Sequence, residues 1–75
     1  MNKRELKERF QREGIPECYY NLDGVGRKDE RLCLEYSNGE WHVYYLERGI
    51  RTSDDVFPSE EAACEYIYKE IVEWL

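Results

Sequence analysis

Three side chains in the middle of the chain are of the types that form small active sites. Cys33 could act as a nucleophile, His42, the single histidine, as its general base, and Glu35 as the acid that orients the imidazole. No pocket or oxyanion-stabilising loop is evident beside them, and their spacing is not that of paired metal ligands. A Glu35–His42 pair across neighbouring strands would stabilise a sheet without any chemistry. We therefore expect no enzyme activity, no metal and no cofactor.

These side chains lie in a segment, Arg31 to Arg48, that has the pattern of a β-hairpin. Asn38-Gly39 separates two runs of alternating side chains, and Asn-Gly favours a type I′ turn because both central residues need a positive φ. The turn fixes the register, and a slip of one residue would exchange the two faces of the hairpin. The pairs expected on the buried face are Tyr36–Trp41, Leu34–Val43 and Leu32–Tyr45. The other face is expected to carry Arg31–Leu46, Cys33–Tyr44 and Glu35–His42.

Helices are predicted at both ends of the chain. Residues 2–13 are rich in helix formers and carry Leu6 and Phe10 on one face. Residues 60–75 follow Ser59, a good N-cap, and carry a broader apolar stripe. The stripe consists of Ala63, Cys64, Ile67, Tyr68, Ile71, Trp74 and Leu75. The second helix should therefore cover most of the sheet.

The remaining segments complete a single α+β domain over residues 1–75. Residues 18–22 are expected to form a short strand, and residues 23–30 and 50–56 are expected to form loops. Gly24-Val25-Gly26 in the first loop lacks the third glycine and the following helix of a dinucleotide-binding loop. The element order α-β-β-β-α predicts a three-stranded antiparallel meander with the N- and C-terminal helices packed on one face.

The chain is strongly acidic, with 17 acidic residues, 11 basic residues and a formal net charge of −6. Nucleic-acid affinity depends on Lys and Arg that neutralise phosphates, so we expect no nucleic-acid partner. Residues 53–75 contain Lys69 as their only basic residue, and a basic protein surface is the better match for them. Asp54 and Asp55 fall in a predicted loop, and loops carry a large share of functional residues.

The cysteines and the N-terminal residues indicate a cytoplasmic protein. Cys18, Cys33 and Cys64 are an odd number without Cys-x-x-Cys spacing, so we expect reduced thiols rather than disulfides or a zinc site. The N-terminal residues lack the apolar run of a signal peptide, and no run approaches the length of a membrane span. We therefore expect a cytoplasmic location and no membrane contact.

The sheet face opposite the helices is the expected partner-binding surface. If no helix covers it, Tyr44 and Leu46 form with Cys33 an exposed aromatic and aliphatic patch, which is a common feature of protein interfaces. The alternative is that a neighbouring loop covers this patch. The candidate partner-binding residues are His42, Tyr44, Leu46, Glu47, Arg48, Asp54 and Asp55.

The element order resembles that of the double-stranded-RNA-binding domain. That family places basic residues at the start of its last helix to contact phosphates, whereas this chain has Ser59-Glu60-Glu61 there. The opposite charge excludes the RNA-binding function and leaves a likeness in element order alone.

A second resemblance spans most of the chain. Its motifs are Ile15-Pro16, Tyr19-Tyr20, Asn38-Gly39-x-Trp41-x-Val43-Tyr44-Tyr45-x-Glu47-Arg48-Gly49 and Phe57-x-Ser59-Glu60-Glu61-Ala62-x-Cys64. They resemble a group of small bacterial immunity proteins, which are encoded beside polymorphic toxins and bind and block the cognate toxin. The resemblance implies a non-catalytic, toxin-neutralising protein whose partner is a basic cognate toxin. The alternative is a small cytosolic protein-interaction module, or a homodimer that uses the same sheet face.

Overall fold

The computed structural model describes all 75 residues and contains two helices and a four-stranded mixed sheet. The elements are α1 (Lys3–Arg12), a 3₁₀ turn (Glu17–Tyr19), β1 (Tyr20–Asn21), β2 (Arg31–Ser37), β3 (Glu40–Glu47), β4 (Ile50–Phe57) and α2 (Glu60–Trp74). The strands lie in the order β1-β2-β3-β4, with β1 parallel to β2 and the other neighbours antiparallel. The fold class is therefore α+β, as predicted. Neither helix combines the length and apolarity needed to cross a membrane.

The hairpin of β2 and β3 has the predicted turn and register. Asn38 and Gly39 have φ values of 52° and 76°, so both occupy the left-handed region that these residue types tolerate. Every expected pair is present, from the turn to the far ends of both strands. The alternation of side chains places Leu34 and Val43 on the face that the helices cover.

The predicted three-stranded meander is wrong, because the segment expected to be a loop forms a fourth strand. β4 pairs with β3 through a second two-residue turn, Arg48-Gly49, whose φ values are 52° and 80°. β4 is an edge strand that contains Ser and Asp, residues of low β-propensity, so its sequence alone does not indicate a strand. Backbone pairing with β3 stabilises it instead. Thr52 is the extra residue of a bulge opposite Tyr45 and Leu46.

β1 is shorter than predicted and runs parallel to β2, not antiparallel. The segment expected to be a strand, residues 18–22, begins as a 3₁₀ turn, and only Tyr20 and Asn21 pair with β2. A tight turn would have joined antiparallel neighbours. Residues 22–30 instead form a connection long enough to carry the chain back to the end of the sheet where β1 begins. β2 therefore starts beside the start of β1 and runs parallel to it.

Both helices pack on one face of the sheet. The buried cluster there includes Leu6 and Phe10 of α1, Leu32, Leu34 and Val43 of the sheet, and Ala63, Cys64, Ile67 and Ile71 of α2. Asn2 and Glu5 form a capping box at the start of α1. Ser59 is the N-cap of α2, as predicted, and its Oγ accepts a hydrogen bond from the Ala62 amide at 3.1 Å. The opposite face of the sheet has no helix.

Candidate interaction surface

The sheet face away from the helices carries a group of charged side chains. We define the outer-face cluster as Glu35 on β2, Glu40 and His42 on β3, and Arg51 and Asp54 on β4. Glu35 lies opposite His42 across β2 and β3, and Asp54 lies opposite Tyr44 across β3 and β4. Strand alternation therefore projects these side chains from the same face.

Arg51 is at the centre of the outer-face cluster. It donates from Nη1 to Asp54 Oδ2 and from Nη2 to Glu35 Oε1, both at 3.1 Å, so it joins β2 to β4 across β3. Its guanidinium carbon lies 3.8 Å from the centre of the Tyr44 ring. The hydrogen bond with Glu35 is the main reason why the pKa of Arg51 is raised. Single exposed ion pairs contribute little to stability, but the two hydrogen bonds from Arg51 fix the positions of the Glu35 and Asp54 carboxylates.

His42 connects the cluster to the turn end of the hairpin. Its Nδ1 lies 3.2 Å from Asp54 Oδ1, and its Nε2 lies 3.7 Å from Glu40 Oε1. Glu35 and His42 are opposite each other in the register, as predicted, but no side-chain hydrogen bond or ion pair joins them. Arg51 binds the Glu35 carboxylate and Asp54 binds the imidazole. Both competing partners come from β4, the strand that the sequence prediction lacked.

Tyr44 is not the exposed anchor that the sequence predicts. It is 5% exposed, its ring is covered by the Arg51 guanidinium, and its pKa is raised mainly by burial. Cys33 beside it is 1% exposed, and its Sγ lies 3.6 Å from the carbonyl oxygen of Lys28 in the loop between β1 and β2. A neighbouring loop therefore covers Cys33, as in the alternative, whereas Tyr44 is covered by Arg51 of β4.

The loop between β1 and β2 also reaches Leu46, which is half-buried. Asp29 forms a single bridge with Leu46, and the Glu30 amide donates to the Leu46 carbonyl oxygen. Asn21 is buried beneath this loop and hydrogen-bonds with its backbone. Much of the predicted apolar docking patch thus belongs to the internal packing of the protein.

The Cys33 thiol does not have the environment of a nucleophile. Burial raises its pKa and outweighs the nearby groups that lower it, whereas an activated thiol needs a lowered pKa. The ring nitrogens of His42 face Asp54 and Glu40, and no hydrogen bond joins His42 to Cys33. No group of three or more His, Cys, Asp or Glu side chains is arranged to hold a metal ion. The arrangement is that of a polar network on a sheet.

Thiol labelling should separate the cysteines by their burial. Cys18 is exposed, Cys33 and Cys64 are buried, and none is in a disulfide. Burial raises the pKa of Cys64 from 9.0 to about 11. Roughly a hundredfold less thiolate is therefore available at neutral pH. Iodoacetamide labelling with peptide mass spectrometry should modify Cys18 at least about tenfold faster than the other two until denaturant is added. Rapid labelling of Cys33 in the folded protein would contradict this geometry.

The structure brings some of the predicted partner-binding residues together and separates others. The outer face holds His42, Tyr44, Leu46 and Asp54. Asp54 and Asp55 lie in β4 rather than in a loop, and Asp55 projects from the helix-covered face, where it accepts a hydrogen bond from Tyr66 Oη at 3.2 Å. Glu47 and Arg48 are exposed at the turn between β3 and β4.

Arg51 and Glu40 belong to this surface but are not among the residues that the sequence predicts for it. The sequence predicts a loop at Arg51, and a loop gives no reason to connect Arg51 to Glu35 or His42. The available signal was the Arg48-Gly49 pair, which follows a strand as Asn38-Gly39 does. A second hairpin turn at that position would have predicted β4 and placed Arg51 and Asp54 beside β3.

The Gly24–Gly26 segment does not have the arrangement of a phosphate-binding loop. It borders a depression of about 200 Å³ whose basic side chains are offset by Glu17 and Asp23. The element that follows it is a strand, so no helix N-terminus faces the depression.

The outer face therefore carries a connected network of side-chain hydrogen bonds and ion pairs that spans three strands.

Comparison of the chain with protein-family models, with curated proteins and with solved structures finds no significant match in any of the three.

Proposed function

We propose that this chain is a non-catalytic inhibitor of the immunity-protein type, which binds a basic cognate toxin in the bacterial cytoplasm and blocks it. The observation that supports the proposal most is the exposed charged cluster on the outer face of the sheet, in which three carboxylates stand beside one arginine and one histidine. The motif likeness to immunity proteins suggests that the partner is a toxin. The negative charge of this chain suggests that the toxin surface is positively charged. The raised pKa of Cys33 gives no support to an enzyme built on that thiol.

The charge of the outer-face cluster suits a basic partner. Arg51 binds Glu35 and Asp54, Glu40 has only His42 as a neighbour of opposite character, and the whole chain has a net charge of −6. Such a face attracts a basic surface over a distance and speeds association, by an amount that falls as salt is added. Because the cluster stands on strands, its carboxylates are already in position when the partner arrives. Inhibition would follow from occlusion of the toxin surface.

The burial of Tyr44 changes which groups would anchor the partner. Asp54 has a side chain that is 39% exposed, but it already contacts both His42 and Arg51. The two most exposed carboxylates of the cluster are Glu40, whose side chain is 56% exposed, and Glu35, whose side chain is 42% exposed. Arginine is enriched among the residues that dominate binding energy at interfaces. We therefore expect arginine side chains of the partner to meet these two carboxylates, with Leu46 giving apolar contact at the margin.

Co-expression with the open reading frame adjacent to the gene tests this proposal. Expression of the neighbouring protein alone should stop the growth of a bacterial host, and this chain should restore it. Glu40→Lys reverses an exposed charge of the outer-face cluster and should weaken the purified complex by about tenfold or more. Glu8→Lys is the matched control, because Glu8 is an exposed residue of α1 on the helix side of the sheet. Toxicity that this chain leaves unchanged would exclude the proposal.

A homodimer through the outer face is the alternative occupant of this surface. It would bring two acidic clusters together, which opposes association. Light scattering separates the two cases. A mass near 9.1 kDa agrees with a monomer whose outer face is free for a partner, and twice that mass would indicate that a second copy of the chain covers this face.

A further inference from the structure

A groove of about 390 Å³ lies on the other side of the sheet, between α2 and the inner face of β3 and β4. Leu32 and Tyr45 of the sheet lie on one side of it. The other side consists of Tyr66, Glu70 and Trp74, which recur every four residues along α2 and so share a helix face. The outer-face cluster contributes no residue to this groove.

The groove exists because β4 has short polar side chains where it passes under α2. Ser53 lies opposite Tyr45 and is too short to fill the space beneath the helix. Trp74 stands edge-on to Tyr45, with their planes at 90° and their ring centres 5.9 Å apart. The result is an opening walled by aromatic rings, with Trp74 itself 46% exposed.

The carboxylates at this groove are not neutralised within the chain. Tyr66 Oη donates to Asp55 Oδ2 at 3.2 Å, and Glu70 lines the groove one helical turn further along α2. Burial first, and then these two carboxylates, raise the pKa of Tyr66, so its hydroxyl remains a neutral donor. Neither Asp55 nor Glu70 takes part in any ion pair of the chain. Glu70 is half-exposed, so a cationic group of a ligand can reach its carboxylate without displacing a basic side chain of this protein.

We propose that this groove binds an arginine side chain of a protein partner. The guanidinium would stack on the rings of Tyr66 or Trp74 and donate hydrogen bonds to Glu70. Aromatic faces attract cations, and arginine combines a planar, weakly hydrated cation with a fork of donors that matches a carboxylate. The inference concerns a different surface from that of toxin neutralisation and stands whether or not the chain neutralises a toxin.

Titration with N-acetyl-arginine-amide, followed by proton–nitrogen NMR of the labelled protein, tests the groove directly. The amides of Tyr45, Ser53 and Glu70 and the indole of Trp74 should shift together, with a dissociation constant on the order of 1 mM for so small a ligand. N-acetyl-citrulline-amide has nearly the same shape without the charge and should produce no such shifts. Equal shifts from the citrulline probe, or the absence of localised shifts with the arginine probe, would overturn the proposal.

Three substitutions at residues outside the buried core keep the test independent of folding. Glu70→Gln should weaken binding of the arginine probe by about tenfold, whereas Glu73→Gln, which removes the same charge from the same helix outside the groove, should leave it unchanged. Trp74→Leu keeps apolar bulk and should also weaken binding. Unaltered amide spectra before titration establish that each variant is folded. Binding by Glu70→Gln equal to that of the unmodified chain would refute the role of the carboxylate, and equal binding of N-acetyl-lysine-amide would refute the assignment to arginine.

Discussion

Replacement of Phe10 by alanine is expected to remove about 4 kcal/mol from the free energy of unfolding. Phe10 is fully buried, with its ring centre 4.6 Å from that of Tyr20 and 5.9 Å from that of Tyr68. A domain of this length has a total free energy of unfolding of roughly 4–11 kcal/mol, so the loss would be a large part of it. Urea unfolding followed by circular dichroism measures the change directly.

The matched controls for Phe10→Ala distinguish lost packing from a general intolerance of change. Phe10→Leu keeps most of the apolar volume and should cost no more than about 1.5 kcal/mol. Val25→Ala alters a residue that is 75% exposed and should change stability by less than about 0.5 kcal/mol. A loss below about 1 kcal/mol for Phe10→Ala would show that α1 does not pack on the sheet as described.

Replacement of Asn21 by alanine is expected to cost about 3 kcal/mol, because it removes three part-buried hydrogen bonds to the backbone of the loop, each worth about 1 kcal/mol. The side-chain nitrogen of Asn21 donates to the carbonyl oxygens of Val25 at 3.0 Å and Arg27 at 2.8 Å, and its oxygen accepts from the Gly24 amide at 2.8 Å. The loop held in this way covers Cys33. The variant should therefore lower the urea midpoint and also accelerate iodoacetamide labelling of Cys33 under native conditions.

Asp23→Ala is the control for Asn21→Ala. Asp23 accepts a single hydrogen bond, from the Val25 amide at 3.0 Å, and lies in the same loop at an exposed position. Its loss should cost less than about 1 kcal/mol and should not change the labelling of Cys33. Cys33 labelling that stays as slow in Asn21→Ala as in the unmodified chain would show that Asn21 does not hold the cover in place.

The hairpin could be predicted from the sequence because its turn is encoded locally. Asn38-Gly39 matches the backbone geometry that a two-residue turn needs, and one dipeptide then determines the register of both strands. Arg48-Gly49 adopts the same geometry, but arginine has no intrinsic preference for a positive φ. The Ser and Asp residues of β4 likewise carry no strand preference, so tertiary pairing decides that segment.

The candidate surface was harder to predict because its parts come together through non-local contacts. The position of His42 on the outer face follows from the hairpin register, but its partner Asp54 comes from β4. The burial of Cys33 depends on the path of the loop between β1 and β2, which follows neither periodicity nor a turn motif, and the Tyr44 ring is covered by Arg51 of β4. The composition gives the net negative charge of the chain, but it does not indicate that Arg51 binds Glu35 and Asp54, because these residues come together only in the folded sheet.

The packing of α2 against α1 has a consequence for how the protein folds during its synthesis on the ribosome. α1 emerges first, yet its buried face meets Ile67 and Ile71, and the Tyr68 hydroxyl donates to Glu13 across 55 positions of the chain. Until the last helix has left the ribosome, Leu6 and Phe10 have no complete core to enter. The nascent chain can close its two hairpins early, but α1 meets all of its packing partners only when α2 has also left the ribosome.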